Sequence, residues 1–178
     1  MKRLAILTSI CAALAGCASQ PNMVPSDTPS EAWAGKVELR RDDFERTTTI
    51  KAAELQDNGN TVFLRSVRSD SLPNEDGIIL YVVARMDSWK FIDRAFTNDG
   101  KPWPLTVVSR DVRYCSRYGC SLAEHVAVHL PRSYLATKTD RGFEVKLAGK
   151  RGDQFTYVPG TYIQGFLMQL PALPPSKK

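Results

Sequence analysis

The run Ile78-Ile79-Leu80-Tyr81-Val82-Val83-Ala84 constrains the fold more than any other part of this 178-residue chain. It is apolar on both faces of an extended backbone and rich in β-branched side chains, the pattern of a strand in the middle of a sheet. Period-two patterning continues on either side. Thr47-Thr48-Thr49-Ile50 favours a strand within residues 44–53, and residues 61–68 alternate imperfectly around Phe63 and Val67. Residues 89–96 form a further segment, closed by the turn-forming Asn98-Asp99-Gly100-Lys101-Pro102.

Residues 105–114 and 122–130 predict two strands around a tight turn, and Phe143, Val145 and Leu147 alternate with Glu144 and Lys146. Residues 149–153 then turn the chain into a strand over 154–158. Two short helices are expected, each opened by a proline: one over 131–136 and one over 159–170. In the second, Tyr162, Ile163, Phe166, Leu167 and Leu170 fall on one helical face. Such a stripe ordinarily packs on its own sheet. Gly165 in its interior costs about 1 kcal/mol relative to alanine, which points to a close neighbour at that position. Residues 31–46 are ambiguous: Trp33, Val37 and Phe44 fit a helix, Val37 and Leu39 a strand. The expected fold is mainly β, an antiparallel β-sandwich or barrel with one or two short helices, including a C-terminal helix.

The first residues are of a different kind. Lys2 and Arg3 precede a 12-residue apolar stretch from Leu4 to Ala15, short of the ~18 residues of a spanning helix. Leu14-Ala15-Gly16-Cys17 closes it, with small residues before a cysteine. This segment resembles the lipobox of bacterial lipid-anchored envelope lipoproteins, a resemblance confined to residues 1–19 that implies nothing about the fold. It implies a signal peptide over 1–16, acylation of Cys17 as the new N-terminus, and anchoring in a membrane through lipid. Ala18 and Ser19 differ from the aspartate that commonly retains such proteins in the inner membrane, so the implied address is the periplasmic face of the outer membrane.

Cleavage at that point leaves 162 of the 178 residues, ample for one domain. Loss of Lys2 and Arg3 takes the formal net charge from +5 to +3, a weak balance that names no partner. Residues 17–30 hold three prolines and few apolar groups and are expected to be a lipidated N-terminus and flexible tether, with a reach of about 20 Å. Residues 31–170 form the single mostly-β domain, and residues 171–178 a disordered tail. Of the four cysteines, Cys11 leaves with the signal and Cys17 takes the lipid. In an oxidising compartment Cys115 and Cys120 should pair, closing a short loop worth about 2 kcal/mol of chain entropy. Redox pairs more often have two intervening residues, so the expected role is structural.

Few residues form a pattern with chemistry in it. His125 and His129 are the only histidines. On a helix they would share a face, but the alternation of 122–130 makes a strand, on which they sit about 13 Å apart. No metal is expected there. Gly-x-Ser-x-Gly and His-Glu-x-x-His are absent, and Asp42-Asp43 and Glu75-Asp76 are adjacent residues that would point to opposite faces of a strand. No enzyme activity and no cofactor are expected. Arg110, Arg113 and Arg117 cluster with Tyr114 and Tyr118 around the cysteine turn, and guanidinium with aromatic groups suits envelope polymers. Arg113, Tyr114, Arg117 and Tyr118 are therefore the candidate contact surface. Arg151-Gly152-Asp153 spells an adhesion tripeptide, but Gly-Asp suits a hairpin turn unaided. The expected function is binding, as an accessory or assembly component meeting envelope proteins or polymers and not nucleic acid. A module for a small ligand or glycan is the alternative, and a cell-wall hydrolase the remote one.

Overall fold

The computed structural model describes residues 28–71, 77–117 and 119–171. Cys17, Tyr118, the signal and most of the tether and tail lie outside them. The described chain is mainly β, in two antiparallel sheets that form a sandwich-like and not a barrel arrangement. Its strands are β1 (Glu38–Asp42), β2 (Thr47–Lys51), β3 (Leu55–Asp57), β4 (Asn60–Ser69), β5 (Gly77–Met86), β6 (Ile92–Thr97), β7 (Pro102–Trp103), β8 (Leu105–Ser116), β9 (Gly119–His129), β10 (Phe143–Gly149) and β11 (Gly152–Val158). The helices are α1 (Ser30–Ala34), α2 (Arg132–Ala136) and α3 (Gly160–Gln169).

The larger sheet runs β1-β2-β4-β5-β9-β8, with β3 also paired to β4. The smaller runs β11-β10-β6-β7. The apolar run at 78–84 lies in β5, between β4 and β9, as its pattern requires. Its faces are unequal: Ile78, Leu80, Val82 and Ala84 are fully buried, whereas Ile79, Tyr81 and Val83 are half-buried on the outer face. Cross-strand neighbours such as Phe63 and His125 shelter that outer row.

Residues 31–46 resolve into both readings. Trp33 lies in α1, and Leu39 in β1. The strand expected from residue 44 begins only at Thr47, because Asp42 Oδ1 accepts the backbone N–H groups of Phe44 and Glu45 at 2.9 and 3.0 Å and fixes a turn. Arg46 completes it with a φ of 51°.

The core joins both sheets and all three helices. On α3, Tyr162, Ile163 and Phe166 are buried as the helical spacing predicts, Leu167 is half-buried, and Leu170, just past the helix, is buried. Trp33 of α1 meets Tyr162 edge-on, their ring centroids 5.1 Å apart. The Tyr162 hydroxyl accepts the N–H of Leu64 at 3.1 Å and donates to the carbonyl of Ala53 at 2.8 Å, tying α3 to the kink between β2 and β3. Burial pushes this phenol well above its ordinary range. Gly165 finds its close neighbour in α1. A Cβ there would stand 2.5 Å from the Ser30 carbonyl oxygen and 2.6 Å from Trp33 Cβ.

The strands that end the two sheet orders are unfavourable for further pairing. β7 has two residues, and β1 has five that are all exposed, four of them charged, with Glu38, Arg40 and Asp42 on one face. β8 breaks register between Val107 and Ser109 and again between Val112 and Tyr114. On β11 the outward Tyr157 N–H is taken by Asp57 Oδ2 at 2.8 Å, and the Phe155 carbonyl by Asn60 Nδ2 at 3.0 Å. Short strands, bulges, charge and side-chain cover are the recognised ways of blunting an edge.

Candidate functional site

The β8–β9 hairpin is longer than the sheet that supports it. β5 pairs with β9 from His129 as far as Leu122. Beyond that point Tyr114, Cys115 and Ser116 pair only with Ser121, Cys120 and Gly119. A two-stranded ribbon has little stability of its own. The disulfide Cys115–Cys120 lies in this unsupported end and links directly opposed residues. Its position explains why a cross-link is needed there, and the pairing is the one expected from the cysteine arithmetic.

Apolar and aromatic side chains near the cysteines are exposed. Val112 and Tyr114 are 58 % and 69 % exposed. Arg113 occupies the second bulge between them, and Arg117 is exposed in the turn. From residue 112 to 121 the sequence has two arginines and no carboxylate, so the ribbon end is cationic. The structure thus brings Arg113, Tyr114 and Arg117 to one projecting end; Tyr118 falls outside the described residues. Arg110 does not join them. It pairs across the ribbon with Glu124, on the opposite register from Asp111, and its Nε donates to Glu124 Oε2 at 3.3 Å.

Glu124 is the residue that sequence reasoning passed over. It is fully buried on β9. Its Oε1 accepts the N–H of Lys90 and of Phe91 at 2.8 and 2.7 Å, and its Oε2 that of Ile92 at 2.8 Å. Phe91 has a φ of 54°, and a left-handed residue within a turn aims successive N–H groups at one point, forming an anion-holding nest. Here the anion is the protein's own carboxylate. This clasp also explains why β6 starts at Ile92 and not at residue 89. The signal was a lone acid at the inward register of Leu122, Val126 and Val128.

The histidines lie on the outer face of β9. His125 Nδ1 is 3.1 Å from the Tyr81 hydroxyl and its Nε2 is 3.2 Å from Asp111 Oδ2. His129 Nε2 is 3.0 Å from Thr106 Oγ1. Each ring has its own neighbours. Among the described residues no three His, Cys, Asp or Glu side chains converge as metal ligands. Tyr81 also stacks on Phe63, centroids 4.9 Å apart, and its phenol is raised by burial and by Asp111 against the opposing field of Arg65.

Beside Phe63 a groove of about 500 Å3 opens on the outer face of β1, β2 and β4. Its floor is Thr49, Lys51, Phe63 and Arg65, and it is open to solvent. No family model matches the chain, and no curated protein or solved structure matches it either. Among the described residues, no helix is long and apolar enough to cross a membrane.

Loss of the cross-link should act mainly on the ribbon end. Joint replacement Cys115→Ser and Cys120→Ser is expected to lower unfolding stability by up to about 2 kcal/mol. Amide exchange should accelerate most over residues 112–121, while β5 and the rest of β9 keep their order. Uniform acceleration across the larger sheet would show that the disulfide supports the whole fold instead.

Proposed function

We propose that the chain is a lipid-anchored component of the bacterial cell envelope that works by binding, as an accessory or assembly component. Acylated Cys17 holds it at the periplasmic face of the outer membrane, and the tether over residues 17–30 gives the domain reach. The contact surface is the end of the β8–β9 hairpin, which meets an envelope protein or polymer. The reading assigns no catalytic role.

One observation carries the contact surface. A ribbon that outruns its sheet and is cross-linked there holds exposed Val112 and Tyr114 beside Arg113. Exposed aromatic and arginine side chains on a stiff support lose little entropy on binding and are the residue types enriched at interfaces. The blunted terminal strands favour recognition through side chains over strand addition. A cationic end suits an acidic partner.

Photocrosslinking in intact cells tests both halves. With Tyr114 replaced by a photoreactive phenylalanine analogue, a discrete adduct is expected that is missing when the same analogue replaces the exposed Phe44. In a Cys17→Ser background the chain should lack lipid and leave the membrane fraction, and the adduct should fade with it. Equal adducts from both positions would remove the hairpin from the proposal, and continued acylation of the Cys17→Ser chain would remove the anchor. A small-ligand module is the second reading, and the outer-face groove is the observation in its favour.

A further inference from the structure

Two cations on the outer face of the larger sheet are set directly against each other. Lys51 of β2 and Arg65 of β4 are cross-strand partners, an arrangement that repels unless an anion lies with them. Lys51 is compensated: Glu38 of β1 is its opposed residue on the other side, and its Nζ reaches Glu54 Oε1 at 3.0 Å and lies 4.5 Å from the centre of the Phe63 ring. Arg65 Nε, by contrast, is buried and has no hydrogen-bond partner among the described residues. A buried donor without an acceptor is uncommon in a folded protein and calls for an explanation. Both side chains line the groove, and Arg40 of β1 lines it as a third cation.

The rest of the lining narrows the class of ligand. Glu38, Asp42 and Glu45 stand on the β1 side of the same groove. Three carboxylates disfavour a doubly charged phosphate but give a place to an ammonium group. Thr47 and Thr49 offer hydroxyls, and Phe63 an apolar surface. Guanidinium matches a carboxylate in planar, two-pronged geometry.

We propose that this groove binds a small zwitterionic ligand, an amino acid or short peptide. Its carboxylate sits on Arg65, whose Nε has no acceptor of its own, and its ammonium group faces Glu38, Asp42 and Glu45. The site stands apart from the hairpin and requires neither the lipid anchor nor the hairpin's partner.

The dipeptide alanyl-alanine is the probe, titrated into the purified full-length chain in detergent and followed by calorimetry and by the Arg side-chain Nε–H resonances. One saturable site is expected, with one Arg resonance shifted and that resonance missing in Arg65→Gln. Arg65→Gln should weaken binding about tenfold. Arg40→Gln lies on an exposed strand outside the core and should weaken it less, without lowering the unfolding temperature. Acetate and inorganic phosphate, each tested alone, should bind more weakly than the dipeptide. A response that does not saturate, phosphate binding tighter than the dipeptide, or unchanged affinity in both variants would each overturn the proposal.

Discussion

Glu124→Gln is expected to destabilise the fold by about 3–5 kcal/mol, the usual cost of breaking a buried charge network from one side. The carboxylate accepts three successive backbone N–H groups and Arg110 Nε. An amide has one acceptor oxygen, so its NH2 group would face donors it cannot satisfy. With a whole domain worth only about 5–15 kcal/mol, that loss brings the chain near its unfolding threshold. Arg110→Met should cost less. Its side chain is 35 % exposed, and Glu124 would keep its three backbone donors. Urea unfolding of the two variants provides the comparison. A Glu124→Gln chain within 1 kcal/mol of the parent, or less affected than Arg110→Met, would mean that the turn at 90–92 holds its shape without the carboxylate.

The second large effect is expected at Gly165. Leucine there would force α1 away from α3, because even a Cβ meets the Ser30 carbonyl oxygen at 2.5 Å and Trp33 Cβ at 2.6 Å. Trp33 is 2 % exposed and would lose its edge-on contact with Tyr162. Expelling such a side chain costs about 3–5 kcal/mol. Gly165→Ala sets two effects against each other: about 1 kcal/mol gained in helix propensity and about 1–3 kcal/mol lost to overpacking. The loss should win, since both near atoms belong to α1 and neither is the free end of a side chain. Tryptophan fluorescence should shift to longer wavelength for leucine as Trp33 meets water. An alanine variant more stable than its parent would show that α1 moves aside freely.

What could be seen beforehand follows from range along the chain. The run at 78–84, apolar on both faces, located β5 as a central strand without telling its buried side. Alternation in residues 122–130 and 143–147 reports burial of a strand face, a local property, and located β9 and β10. The spacing of Tyr162, Ile163, Phe166 and Leu170 did the same for α3. The cysteine pair was legible because only four residues lie between its members. Strand ends were less legible, because side chains fix them from a distance or against propensity. Glu124 sets the start of β6 from 32 residues away, and the Asp42 turn delays β2 despite a local preference for strand.

Surface features divide in the same way. Tyr114 and Arg113 could be singled out because aromatic and basic residues cluster within one short segment. The opposition of Lys51 and Arg65 could not, because it exists only once β2 and β4 are in register. Neither residue is unusual in its own neighbourhood. Arg110 clusters with Arg113 and Arg117 along the sequence, but its partner, Glu124, lies on the neighbouring strand of the larger sheet.

The blunted terminal strands have a consequence for how many copies can share a small area. Molecules held on a surface diffuse in two dimensions and meet far more often than they do in free solution. A sheet protein with open borders would zip into ribbons under such crowding. Here a two-residue β7, a charged β1, a β8 twice out of register and a β11 covered by Asp57 and Asn60 oppose that outcome at the ends of both sheets. Held on a membrane as proposed, such a chain can be numerous without becoming a fibre.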